Sequence, residues 1–210
     1  MPTADAYGRI AGVYSAILDP LNRALRRSAM RMYQAEAGWR VLDVGCGTGA
    51  ALAEYAAAGC VVSGIDSSEA MLAKARALLG EDSDLRLGDA ADLPYENESF
   101  DLVLASLVLH EMPADDRRAV LAEMARVVKP GGAAIVVELG PGPYVGLGGK
   151  ARRLVTVALE RAAGTDHYAN QVTFLEQGGL PGAVRDTGLA LRDERTVSGG
   201  NIGMYTLTRS

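Results

Sequence analysis

Short aliphatic runs alternate along the middle of the chain with longer segments in which apolar residues recur at helical spacing. Val41-Leu42-Asp43-Val44 is a β-forming run that meets a cluster of glycines, and the alanine-rich stretch from Ala50 to Ala58 behind it reads as a helix. The alternation recurs as Val61 to Ile65 before Ser68 to Leu79, and as Phe100 to Leu107 before Asp115 to Val128. A short strand over Leu85 to Leu87 fits ahead of Asp89, and Ile135-Val136-Val137 follows a stop at Pro130-Gly131-Gly132. Strands and helices in this order predict an α/β fold, a parallel sheet with helices on both faces joined by right-handed crossovers. Ligands of such sheets lie at the carboxyl ends of the strands, near the point where strand order reverses.

The two ends of the chain carry other patterns. Ile10 to Tyr33 has apolar residues at largely helical spacing, with Arg23, Arg26, Arg27 and Arg31 among them, and predicts one or two amphipathic helices broken near Asp19-Pro20. Gly140 to Gly149, with five glycines and two prolines, predicts a flexible loop. Arg152 to Ala163 reads as the helix after it, and Asn170 to Gly188 as another, interrupted at Gly178-Gly179 and Pro181. Ala190 to Val197 and Ile202 to Thr208, around Ser198-Gly199-Gly200-Asn201, form a strand, turn, strand pattern that predicts a hairpin. With no internal repeat and no linker, residues 1–210 read as one domain. It divides into an N-terminal helical segment (1–35), an alternating strand–helix core (36–139), an insertion with helices (140–189) and a C-terminal hairpin (190–210).

The glycine cluster carries the first chemical signal. In Asp43-Val44-Gly45-Cys46-Gly47-Thr48-Gly49, glycines at alternate positions let backbone pass close under a ligand. A dinucleotide fingerprint would place its third glycine one residue later. Asp43, two residues before Gly45, would repel a phosphate and favour a cation. Asp66 ends the second strand ~20 residues beyond Gly45, where an acid accepts hydrogen bonds from ribose hydroxyls. Asp89 ends the third strand, placed to meet an exocyclic adenine amino group, with the Ala90 backbone N–H beside it for a ring nitrogen. The ligand read from these three acids is a nucleoside with a cationic end.

Composition narrows the partners. The chain is 49% hydrophobic and 22% charged with a net charge of −5, an ordinary globular balance with no basic block for nucleic acid. Its longest apolar run, near Leu102 to Leu109, is far short of the ~20 residues that span a bilayer, and Met1 to Arg9 has no signal pattern. A cytoplasmic location, as monomer or homodimer, is the expectation. The arginines between Leu21 and Arg31 read as a solvated face compatible with peripheral contact to anionic lipid. Two cysteines and two histidines, Cys46, Cys60, His110 and His167, are too few for a disulfide framework or a Cys- or His-based metal cluster.

Taken together, Val41 to Ala50, Gly64-Ile65-Asp66-Ser67, Gly88-Asp89-Ala90 through Asp101-Leu102-Val103, and Val128-Lys129-Pro130-Gly131-Gly132 resemble, in order and spacing, the motifs of the class I S-adenosylmethionine-dependent methyltransferases. The resemblance covers Arg40 to Glu138, about half of the chain. It implies a three-layer Rossmann-like fold, a mostly parallel seven-stranded sheet with an antiparallel C-terminal strand, and S-adenosylmethionine as cofactor with S-adenosylhomocysteine as product. It further implies that Asp43 and Gly45 meet the methionine amino group, Gly47 floors the nucleoside, and Asp66, in a motif with Ser67, holds the ribose. Met71 would cover an adenine face, Ser106 would lie beside the methionine, and Tyr14 in the lid would reach the methionine carboxylate.

The acceptor is read as a small molecule. His110, at the rim of the fourth strand, is the candidate base for a phenol, enol or acidic carbon. Its alternative is an imidazole that only caps the strand end. His167 and Tyr168 are candidates to line the acceptor pocket. Within the family the motifs and the Phe174 to Leu189 stretch are nearest the ubiquinone and menaquinone C-methyltransferase branch. The short loop at 140–149 and His110 depart from that branch. Two rivals remain at this stage: a non-catalytic cofactor-binding regulator on the same fold, and a nicotinamide oxidoreductase in which Asp66 serves the NAD ribose.

Overall fold

A computed structural model describes residues 23–210. Tyr14 and most of the expected lid lie outside them. Residues 23–32 are helical (α1) and precede β1 (Arg40–Val44), α2 (Ala50–Ala57), β2 (Val61–Asp66), α3 (Glu69–Leu79), β3 (Asp84–Leu87) and β4 (Phe100–Ser106). A single 3-10 turn (Leu109–Glu111) leads to α4 (Ala114–Val127) and β5 (Val128–Leu139). Then come α5 (Gly146–Ala163), α6 (Thr165–Glu176), the short α7 (Leu180–Ala183), β6 (Leu189–Val197) and β7 (Ile202–Arg209).

The strands form one sheet in the order β3-β2-β1-β4-β5-β7-β6. Only β7 runs against the rest, pairing antiparallel with both β5 and β6, so the expected hairpin closes the sheet's end. Strand order reverses between β1 and β4, whose residues Val44 and Ala105 stand side by side. The glycine loop opens at that point, where a parallel sheet leaves a crevice.

Because the central strands carry helices on both faces, β1 and β4 are mostly apolar and buried, with Arg40, Asp43, Asp101 and Ser106 as the exceptions. Leu42, Val44, Val103, Ala134 and Val136 face a core shared with Val120, Leu121 and Met124 of α4, Phe174 of α6 and Leu180 of α7. Val41, Leu102, Leu104, Ile135 and Val137 face the opposite core with Ala29 of α1 and Tyr55 of α2. Helix α3 starts cleanly because the Ser68 hydroxyl accepts the Met71 N–H at 3.3 Å, and it ends at Gly80, whose φ is +103°.

Three sequence expectations are corrected. Pro130-Gly131-Gly132 does not end a segment ahead of a strand, because β5 runs through it. Pairing jumps from Phe100–Val128 to Leu102–Ala133, and the extra residues form a bulge with Gly131 at φ +81°. The glycine-rich loop is shorter than expected, because α5 starts at Gly146 and not at Arg152. Gly149 is packed so closely on the Ser198–Gly200 turn that a Cβ there would sit 2.7 Å from the Gly199 carbonyl oxygen. Tertiary contact thus overrides the low helix propensity of glycine. Finally, the helix expected from Asn170 starts earlier, at Thr165, so that His167 and Tyr168 lie within α6.

Candidate active site

The glycine loop is held by the ends of the neighbouring strands. Gly45 and Cys46 both donate their N–H to the Ile65 carbonyl at the end of β2, at 2.9 and 3.0 Å. Gly45, Gly47 and Gly49 all adopt positive φ, which lets the chain double back within five residues. At Gly45 a side chain is also excluded by space, since a Cβ would lie 2.8 Å from Val108 Cγ2. At Gly47 a Cβ would meet nothing within 4 Å, so the loop presents bare backbone to open space. The Cys46 side chain is buried, and burial raises its thiol pKa well above the ordinary range, so it packs as a small apolar group.

Asp66 ties the loop to β2. Its Oδ2 accepts the Gly47 N–H at 2.8 Å and its Oδ1 the Ser68 N–H at 2.9 Å. Burial raises the Asp66 carboxyl pKa, and the N–H groups of Ser68, Gly47 and Ser67 pull it back. Each oxygen keeps a lone pair for a hydroxyl. The third strand end is drawn to the same place by the Gly88 N–H, which donates to the Asp66 carbonyl at 3.1 Å. Asp89 is exposed there, with Oδ1 accepting the Ala91 N–H at 2.9 Å, and Ala90 is half-buried beside it. Met71 is buried in the first turn of α3, directly after the Asp66 loop. Asp43, Asp66 and Asp89 therefore close β1, β2 and β3 along one rim.

Asp43 faces a cavity lined by Arg26 and Met30 of α1, Tyr55 of α2, Ser106 of β4 and Val137 of β5. It is 2% exposed, and its Oδ1 has no hydrogen-bond partner, nor does the Tyr55 hydroxyl. Burial, and then the Asp66 charge, push its carboxyl up to about 7, while Arg26 pulls it down. An orphaned, partly neutralised carboxylate in a cavity fits a cationic ligand group, which would restore its charge. The amino-acid end of S-adenosylmethionine carries such an ammonium group. Ser106, at the end of β4, also lines this cavity.

His110 lies in the 3-10 turn and is 3% exposed. Its Nδ1 is 2.7 Å from Glu138 Oε2, on β5. Glu138 is fully buried and also accepts the Leu109 N–H at Oε1 and the Leu139 N–H at Oε2, both at 2.9 Å. A carboxylate at this distance makes Nδ1 a donor and fixes the orientation of the ring. Arg117 of α4, 1% exposed, braces the same turn by donating to the Leu109 and Met112 carbonyls at 2.9 and 2.8 Å. Its guanidinium lies 4.7 Å from the centre of the Phe174 ring of α6.

Helix α6 adds Asn170, whose side chain donates to the Glu111 carbonyl at 2.8 Å. His167 is half-buried on the same helix. Tyr168 instead turns to α5, where Arg161 lies over its ring and donates to its hydroxyl at 3.1 Å. Sequence reading overlooked Tyr55, Arg117 and Glu138, and took Arg26 for part of a solvated helix face. Glu138 did leave a trace, since one carboxylate in the otherwise apolar run from Ala133 to Leu139 needs a buried partner. Arg117 looked like any surface residue of a charged helix.

Residues 42–136 match the family model described as a methyltransferase domain. The chain is 37% identical over 153 residues to the demethylmenaquinone methyltransferase of Bacillus cytotoxicus, an alignment spanning 68% of this chain and 64% of that protein. The chain therefore covers less than two thirds of that relative's length. Against the demethylmenaquinone methyltransferase of Clavibacter sepedonicus it is 30% identical over 213 residues, spanning 96% of this chain and 85% of the relative. The crystal structure of an S-adenosylmethionine-dependent methyltransferase from Mesorhizobium loti superposes with a TM-score of 0.63 at 19% identity, covering 87% of this chain and 96% of that one. No helix among the described residues is long and apolar enough to cross a membrane. With a switch-point crevice, a glycine loop and an acid-lined rim in the right order, and relatives over nearly its whole length, the chain belongs to the class I S-adenosylmethionine-dependent methyltransferases, near the quinone methyltransferase branch.

Proposed function

We propose that this methyltransferase acts on a small neutral acceptor of phenol, enol or quinol type, with His110 as the base. The observation that carries the reading is the buried His110–Glu138 contact of 2.7 Å, placed just beyond the β4 strand end that borders the cofactor cavity. Amines need no such base once neutral, whereas a hydroxyl or acidic carbon does. The relatives named as demethylmenaquinone methyltransferases support an acceptor of quinone character.

Bound S-adenosylmethionine supplies a methyl group already activated on a sulfonium. The chain's own part is to hold, orient and move one proton. Asp43 Oδ1 takes the ammonium of the amino-acid end, and Arg26, from the same cavity, takes its carboxylate, a role the sequence assigned to Tyr14. Asp66, with Ser67 beside it, holds the ribose hydroxyls, Met71 covers the adenine, and Asp89 with the Ala90 N–H reads its edge. Ser106 borders the methionine. Glu138 keeps the His110 ring in one tautomer, so that Nε2 receives the acceptor's proton as the acceptor closes to about 3 Å on the axis of transfer. His167 lines the acceptor side from α6, and Tyr168 supports that side through α5.

Acceptor-dependent release of S-adenosylhomocysteine tests the reading. Phenols and quinols should support release that rises with pH and is lost in His110→Gln, with cofactor affinity retained. Release with amines alone, or release unchanged in His110→Gln, would discard it.

A further inference from the structure

Neither the cofactor cleft nor the His110–Glu138 pair uses Gln171. Its side chain is fully buried, and neither Oε1 nor Nε2 has a hydrogen-bond partner. A carboxamide left in that state destabilises the fold relative to an apolar side chain of the same size, so a group of this kind calls for a function or a ligand. The position singles it out as well. Helix α6 packs against the turn that carries His110, where Asn170 bonds the Glu111 carbonyl and Phe174 lies under Arg117. At helical spacing, His167, Gln171 and Phe174 share one stripe of α6, so the amide belongs to the buried stripe that also holds the candidate acceptor residue His167.

The chemistry of the amide defines what it can read. A primary amide offers one acceptor and two donors side by side and carries no charge. The formal charges nearby, on Glu138 and Arg117, are opposite in sign and act on each other, and each is already hydrogen-bonded, Glu138 by three N–H donors and Arg117 to two backbone carbonyls. An anionic or cationic acceptor would therefore enter without a counter-charge from this wall. Resting on the acceptor-site reading above, we propose that Gln171 recognises a pair of neighbouring oxygens on a neutral acceptor, accepting from a hydroxyl at Oε1 and donating from Nε2 to the second oxygen. Catechols, hydroxyquinones and enol–ketones present such an edge. Gln171 is then a specificity residue that positions the reacting oxygen or carbon for His110.

Two probes neutral at pH 7, 2,3-dihydroxynaphthalene with paired oxygens and 2-naphthol with one, are titrated into the enzyme saturated with S-adenosylhomocysteine. The wild type should bind the diol at least tenfold more tightly than the mono-ol. Gln171→Leu and Gln171→Met should lose that preference while keeping S-adenosylhomocysteine affinity, with melting temperatures equal to the wild type or higher. A preference that survives both substitutions overturns the proposal, as does a wild type that shows none. Lower melting temperatures or misfolding in both variants would also overturn it, because the amide would then serve the fold. Turnover with labelled donor separates this outcome from failure of the acceptor reading. If phenols are not methylated, the base chemistry falls even where the diol preference depends on Gln171. If they are methylated without that preference, only the role of Gln171 falls.

Discussion

Along the β1 to β3 rim the site is made of backbone: glycines at positive φ, N–H groups turned inward, and carboxylates set at strand ends. Across the cleft, beside β4 and β5, it is made of buried side chains, with His110, Glu138 and Arg117 each under 5% exposed and joined through one short turn. The first side suits a ligand of fixed shape, since loop geometry leaves little to vary. The second suits chemistry that differs between acceptors, since exchanging a few side chains on β5, α4 and α6 rebuilds it without moving the sheet. The cost also differs, because buried polar groups depend on one another while the loop depends on its own conformation.

The contrast is broken most strongly at Glu138. Its replacement by Ala removes the acceptor of His110 Nδ1 and of the Leu109 and Leu139 N–H groups, and should cost at least about 3 kcal/mol in urea unfolding; a loss below about 1 kcal/mol would mean that the turn does not need the carboxylate. His110→Gln should lower turnover by about 100- to 1000-fold, leaving calorimetric affinity for S-adenosylhomocysteine unchanged. On the opposite rim, Asp66→Ala should weaken that affinity by about 10- to 100-fold, because the ribose hydroxyls lose a charged acceptor.

Asp43 gives a pH signature to the cofactor side. Its folded pKa is raised to about 7 from an ordinary 3.8, so between those values the folded protein keeps a proton that the unfolded chain has released. The ligand-free protein therefore loses this contribution to stability as pH rises through that window, whereas binding an ammonium group requires the ionised form. S-adenosylhomocysteine affinity should fall by up to about tenfold per pH unit below pH 7, and Asp43→Asn should flatten that slope. The smallest effect compares two glycines that have positive φ and no atom within 4 Å of a Cβ, Gly131 and Gly47. Each change to Ala should cost about 1 kcal/mol of stability, yet only Gly47→Ala should weaken cofactor binding.

How far each half could be read beforehand follows from the same contrast. The loop, Asp43, Asp66 and Asp89 lie at strand ends that alternating patterns locate, and local rules for glycine and acidic residues apply to them directly. His110 was legible as a titratable group at a strand rim, but its partner is 28 residues away on another strand. Arg117 and Gln171 carried no local sign of burial, since Arg117 stands between Asp116 and Arg118 and Gln171 follows Asn170, as exposed helix residues do. The early start of α5 and the bulge through Pro130 also escaped, because packing against the Ser198–Gly200 turn and against β4 outweighs the local preference of glycine and proline.

The order of aliphatic runs, helical segments and glycines was enough to dictate the α/β sheet, the position of its crevice and the acids along one rim, because each depends on interactions within a few residues. Which buried groups meet was decided by the tertiary structure. Glu138 is an acceptor for His110 only once β5 lies beside β4, and the Gln171 amide is withdrawn from water only where α6 packs on the 3-10 turn. Pairing of polar groups in a low-dielectric interior depends on distances between segments that no single stretch of chain contains.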